Sequence, residues 1–177
     1  MKNKENRVRI LLIQNQESTL RTVQQTLESN KTRCRLQMVG ICTATLSYLR
    51  REEPYTDAPV PDLVLFDLSD ASPASIAVVK AIKADKHCRS LPMVLLTSRD
   101  SEDEVVKLVS KRGQDNAFSP VDLDSFIKAL NSFKPDRFMH AVTLLENFGY
   151  VLVRMPQAPV ESRPVQMHQP TRVAACM

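Results

Sequence analysis

Three short apolar runs limit most strongly what this chain can fold into. They are Val8-Arg-Ile-Leu-Leu-Ile13, Leu63-Val-Leu-Phe66 and Leu91-Pro-Met-Val-Leu-Leu-Thr97. At their carboxyl ends stand the polar residues Gln14 and Asn15, Asp67, and Thr97. Continuous apolarity over so few residues marks strands buried on both faces, the habit of parallel sheets. Between the runs the apolar period changes. Leu20, Val23 and Leu27 fall at helical spacing, as do Leu123, Phe126, Ile127 and Leu130. The spacing predicts helices over 17–27, 44–51, 75–84, 101–111 and 122–133, a weaker strand over Arg35–Val39 and a short fifth strand over Asn116–Ser119. Strand and helix thus alternate five times, which predicts an α/β fold with a doubly wound parallel sheet. In such sheets chemistry gathers outside the carboxyl ends of the strands. That rule selects Gln14, Asn15, Asp67, Thr97 and Ser119.

Composition narrows the function classes. The 177 residues include only three glycines, Gly40, Gly113 and Gly149, so no Gly-rich phosphate loop can be assembled. No apolar stretch approaches the roughly 18 residues of a membrane span, and the run behind the basic N-terminus is too short for a signal-peptide core. The expected location is the cytoplasm. The net charge is +4, with the excess at the two ends, and tryptophan is absent. A nucleic-acid binder concentrates charge on a folded face, so nucleic-acid binding is not expected. Cys34, Cys42, Cys88 and Cys176 form no C-x-x-C pair, and His87, His140 and His168 are scattered, which speaks against a zinc site. Four unpatterned thiols suit a reducing compartment. No acid–base pair supports an enzyme.

Several segments in register carry a resemblance: Tyr48-Leu-Arg-Arg-Glu-Glu-Pro-Tyr55, Pro61-Asp-Leu-Val-Leu-Phe-Asp-Leu68, Ala81-Ile-Lys-Ala-Asp85, Leu91-Pro-Met-Val-Leu-Leu-Thr-Ser98 and Pro120-Val-Asp-Leu-Asp124-Ser-Phe126. Over residues 7–133 the chain resembles a response-regulator receiver domain of the CheY-like, flavodoxin-like (βα)5 type. It is most similar to the small stand-alone regulators that partner bacterial phytochromes. The resemblance implies phosphoryl transfer from a histidine kinase to one aspartate, here Asp67, with Thr97 as the hydroxyl that meets the phosphoryl group. An acyl phosphate there adds close to two negative charges and re-docks nearby loops.

The chain departs from that family at the pocket. The acid pair that holds Mg²⁺ after the first strand is replaced by Gln14 and Asn15. The lysine after the fifth strand is replaced by Ser119, and the aromatic switch residue falls at Asn116 or Ala117. Mg²⁺ needs one or two carboxylates beside the phosphate, so its binding is expected to be weak or absent, with no other cofactor and no metal. The loop after Asp67 lacks the family's proline and glycine, and Asp70 adds a new acid near the pocket. Gln14 and Asn15 are candidates for a hydrogen-bond network tethering Asp67. Plainer readings are that Asp67 caps the next turn and that Thr97 is a structural hydroxyl.

These features lead to a pseudo-receiver: a degenerate receiver in two-component signalling that is expected to work by docking a protein, with a histidine kinase or a phytochrome as the candidate partner and no membrane partner. The alternative is a working phosphoacceptor at Asp67. The expected organisation is a flexible N-terminus over 1–6, a receiver-like domain over 7–133, a helix and strand extension over 134–156 and a disordered tail over 157–177. In the extension, Phe138, Val142, Leu145 and Phe148 recur at helical spacing. That stripe packs either on its own domain or on a second copy in a homodimer.

Overall fold

The structure is a computed structural model, and it describes residues 7–109, 120–146, 150–157 and 171–174. The central strands are β1 (Val8–Ile13), β3 (Leu63–Asp67) and β4 (Met93–Thr97), with β2 (Cys34–Val39) beside β1. Every residue of β3 and β4 is buried, as a strand covered on both faces requires. Side chains alternate across β1. Ile10 and Leu12 enter one core, and Leu11 and Ile13 enter the other. The first core is closed by Leu20, Val23 and Leu27 of α1 (Glu17–Ser29), and by Phe126, Ile127 and Leu130 of α5 (Leu123–Ser132). The second is closed by Tyr48 and Leu49 of α2 (Ala44–Arg50), Ile76, Val79 and Ile82 of α3 (Pro73–Ala84), and Val105 of α4 (Glu102–Val109). The sheet is therefore doubly wound, and all its pairings are parallel.

Local chemistry fixes the helix starts. Ser72 Oγ accepts from Ser75 N at 3.2 Å and Pro73 opens α3, a capped start with proline in the first turn. Asp122 does the same for α5, accepting from Ser125 N at 3.2 Å. Arg9 ties β1 to the approach of β3 through three donors to Asp62: the backbone N, Nε and Nη2 at 2.8, 3.2 and 2.9 Å.

The sheet continues on both sides with residues from the C-terminal part of the chain. Its full order is β5–β6–β4–β3–β1–β2–β7. The neighbour of β4 is β6 (Val151–Arg154), in register from Val94 opposite Val151 to Thr97 opposite Arg154. The expected fifth strand over Asn116–Ser119 lies outside the described residues. Val121–Asp122 form a two-residue strand, β5, on the far side of β6. β6 buries Leu152 and Val153 beside β4, whereas Val121 is 48% exposed.

Of the segment 134–156, Val151–Arg154 join the sheet. The segment's helix α6 (Pro135–Glu146) sends Phe138 and Val142 into the first core, and the Phe138 ring meets Phe126 edge-on at 5.3 Å. Self-packing therefore accounts for Phe138 and Val142, while Leu145 is 44% exposed and Phe148 lies outside the described residues. Of the expected disordered tail over 157–177, only Gln157 and Thr171–Ala174 lie within the described residues. Thr171–Ala174 form β7, parallel to the edge strand β2. The outer backbone edge of β2 is a ready template for this further strand.

Cys34 and Cys88 are free thiols, and burial pushes them up to about 11 and about 12. Thiols so raised stay protonated and unreactive. Cys42 is disulfide-bonded, contrary to the expectation of four free thiols. No described helix is long and apolar enough to cross a membrane.

Candidate functional site

The strand order reverses between β1 and β3, because one connection leads to β2 on one side and the next to β4 on the other. The crevice at the carboxyl ends of these strands is where such sheets place ligands. Gln14 follows β1, Asp67 ends β3 and Thr97 ends β4, and all three are buried, at 6%, 3% and 0% exposure. The fold therefore brings Gln14, Asp67 and Thr97 to one edge, as the sequence predicts. Ser119, Asn116 and Ala117 lie outside the described residues.

Asp67 is held by neutral donors. Thr19, in the first turn of α1, donates its hydroxyl to Asp67 Oδ2 at 2.7 Å. Ser69 donates both its backbone N–H and its hydroxyl to Asp67 Oδ1, at 2.9 and 2.5 Å. The second contact is an Asx-type turn, the local habit of an aspartate two residues before a free N–H. So the plainer reading, in which Asp67 caps the following turn, has a direct counterpart in the geometry.

The proposed amide tether is not what holds it. Asn15 turns away, with Oδ1 accepting from Ile41 N at 2.8 Å and Nδ2 donating to Ile41 O at 3.5 Å. Gln14 points Nε2 toward Met38 Sδ at 4.0 Å, and its Oε1 is buried without a partner. Asp70 does not enter the crevice. It is exposed and accepts from Ser72 N at 3.1 Å. Ala71, beside it, sits at a φ of 47°, the left-handed region a glycine would take at no cost.

Thr97 is held by its backbone, whose carbonyl accepts from Met155 N at 2.7 Å. Its Oγ1 is buried without a partner. Hydroxyls crowd the loops beyond it: Ser98 Oγ lies 2.8 Å from Ser101 Oγ and donates to Ser69 O at 3.3 Å.

Three residues of this edge escape a reading by strand ends: Thr19, Ser69 and Arg154. Ser69 was legible as the third residue of an Asp-x-Ser turn. Thr19 carries no sequence signal, because a threonine in a first helical turn is ordinary. Arg154 stands in register with Thr97 across the β4–β6 pairing. Its guanidinium is committed to Glu102, with Nε and Nη2 donating at 2.7 and 2.9 Å.

The donor set does not suit Mg²⁺. A hard cation needs several oxygens with carboxylate among them. No three His, Cys, Asp or Glu side chains come together among the described residues. Of the described side-chain oxygens at this edge, those of Asp67 and Asn15 already accept hydrogen bonds, while Gln14 Oε1 and Thr97 Oγ1 have no partner.

Comparison with known proteins gives a consistent picture. No family model matches the chain. It is 28% identical over 97 residues to response regulator Rcp1 of Synechocystis sp., a match covering 55% of this chain and 66% of that one. It is 33% identical over 75 residues to the phosphate regulon transcriptional regulatory protein PhoB of Escherichia coli, covering 41% of this chain and 33% of PhoB. The match therefore falls short of two thirds of the length of both curated relatives. Among solved structures, the bacteriophytochrome response regulator AtBRR superimposes with a TM-score of 0.53 at 30% identity, over 71% of this chain and 91% of that one.

Proposed function

Since this chain belongs to the receiver family of response regulators, we propose that it serves two-component signalling as a degenerate receiver, passing its signal by docking a protein partner. The partner class is a sensor histidine kinase or a phytochrome, by analogy with the regulators it is similar to. On this reading Asp67 is the ancestral phosphoacceptor position and Thr97 the ancestral switch hydroxyl. Mg²⁺ binds weakly or not at all, and no other cofactor is used.

One observation carries the reading. Where the family places two metal-binding acids, Gln14 and Asn15 stand, and neither reaches Asp67. Phosphoryl transfer relies on a metal to neutralise developing charge. A crevice with one carboxylate, three neutral donors on it and no described carboxylate cluster offers little to hold that metal. Recognition then falls to the surface. A second reading, the working phosphoacceptor, draws on the buried, unpartnered Thr97 Oγ1, on the neighbouring strand one residue beyond Leu96, the register partner of Asp67.

The two readings part in a titration of Mg²⁺ with beryllofluoride, followed by backbone NMR. The degenerate receiver shows no saturable shifts at Asp67 or Thr97. Saturable shifts at both, abolished in Asp67→Ala, establish the working phosphoacceptor instead.

A further inference from the structure

We propose that Thr19 is a positioning residue that latches Asp67 shut, so that the two lost acids are only part of why this crevice is silent. The inference rests on the degenerate-receiver reading and deepens it.

The argument is a count of acceptor positions. An ionised carboxylate offers about four lone-pair sites, two on each oxygen. Oδ1 already accepts two donors, the N–H and the hydroxyl of Ser69. Oδ2 accepts one, the hydroxyl of Thr19 at 2.7 Å. One site remains. A carboxylate that ligates a metal and also attacks phosphorus needs two. Restoring acids at positions 14 and 15 would supply ligands around the metal, yet Asp67 itself would still lack a place for it. Removing the Thr19 hydroxyl opens the second site on the oxygen not engaged by Ser69.

The latch is well placed to persist. Thr19 is 4% exposed and lies in the first turn of α1, whose Leu20 and Val23 are fixed in the core, so the hydroxyl has little room to swing away. The donor is neutral, so it occupies a lone pair without supplying the positive charge that would help phosphoryl transfer.

The test uses acetyl phosphate and Mg²⁺ with the full chain, and intact-mass spectrometry to read phosphoryl gain. In the step measured, an Asp67 oxygen forms a bond to phosphorus, the bond from phosphorus to the acetyl oxygen breaks, and acetate departs with the electron pair. Four proteins are compared: wild type, Gln14→Asp/Asn15→Asp, the same pair with Thr19→Val, and the same pair with Thr19→Ser. The Val-containing triple variant is expected to load at least about tenfold faster than the acid pair alone, the factor expected for one hydrogen bond to a charged group. The Ser-containing variant keeps the donor and is expected to match the acid pair. Should Val at this buried position unfold the chain, as judged by its NMR spectrum, Thr19→Ala replaces it. Equal rates for the acid pair and the triple variant overturn the latch and leave the degenerate-receiver reading standing. Loading of wild type at the triple variant's rate overturns both.

Discussion

Arg154 donates two hydrogen bonds to Glu102, from Nε at 2.7 Å and from Nη2 at 2.9 Å, and so pins a C-terminal strand to the first turn of α4. The two side chains are 33% and 18% exposed, so solvent screens the pair only in part. The fork is a planar, two-point contact that a lysine cannot reproduce. Arg154→Ala is expected to lower the unfolding temperature, and Arg154→Lys to recover less than half of that loss. Thermal unfolding measures the loss. Hydrogen exchange of the amides of 151–154 shows whether it is local to β6.

The junction at Glu146 is expected to be more sensitive. Its Oε1 accepts from Lys83 Nζ at 2.5 Å and from Met93 N at 2.9 Å, joining α6 to α3 and to the start of β4. Glu146→Ala leaves a buried N–H and an ammonium without an acceptor, at about 1–3 kcal/mol. Glu146→Gln keeps an oxygen for Met93 and is expected to be milder in denaturant titration.

Burial pushes the Glu146 carboxyl above its ordinary value, outweighing the attraction of Lys83. A raised acid favours its protonated form in the folded state. Its contribution is thus fullest below the ordinary carboxyl value of 4.5 and declines as pH climbs through the raised one. The stability of Glu146→Gln relative to wild type is expected to improve as pH increases from about 4.5 toward neutrality. A flat difference across that range would show that the carboxyl titrates normally.

Asp85 has the opposite sign. Hydrogen bonds from Arg50 hold its carboxyl down at about 2, helped by the backbone N–H of His87. A depressed acid stabilises the fold fully above the ordinary value of 3.8, and that stability is lost as pH falls through about 2. Asp85→Asn is expected to be less stable than wild type above about pH 4, with the difference closing as pH falls toward about 2. Far-ultraviolet circular dichroism during acid titration is the measurement.

A chain cut after Phe133 is expected not to fold. It would lose Phe138, Val142, Leu152, Val153 and Met155, all buried, and would bare the β4 edge. At roughly 1.5–3 kcal/mol for each large apolar side chain, the loss matches or exceeds the whole stability of an ordinary domain. A cooperative thermal transition in the 1–133 fragment would show that the first strands and helices stand alone.

How much of this was legible in the sequence differs by element. The strands at Leu63–Asp67 and Met93–Thr97 were readable because burial on both faces forces a continuous apolar run, and Val8–Ile13 because only the exposed Arg9 interrupts one. So were the α1 and α5 faces, whose Leu20, Val23, Leu27, Phe126, Ile127 and Leu130 keep a helical period. At the site, Asp67, Thr97 and Gln14 follow from the rule that strand ends in an open sheet share one edge. The partners of Asp67 do not. Thr19 is 48 residues distant in sequence, and nothing in its surroundings distinguishes it from any threonine that starts a helix. The direction of Asn15, toward Ile41 and away from Asp67, was likewise hidden, because an amide hydrogen-bonds equally well to either.

The amino-acid order by itself determined that this chain forms a parallel α/β sheet with a lone carboxylate at its carboxyl edge. Burial periodicity is local and survives in any short window. Only the tertiary structure decided which strand stands beside Thr97, and which hydroxyls occupy the oxygens of Asp67. Val151–Arg154 and Val121–Asp122 are both short extended segments. Their order is set by which of them buries more apolar surface against β4 and α5, a comparison between distant parts of the chain that no window of sequence contains.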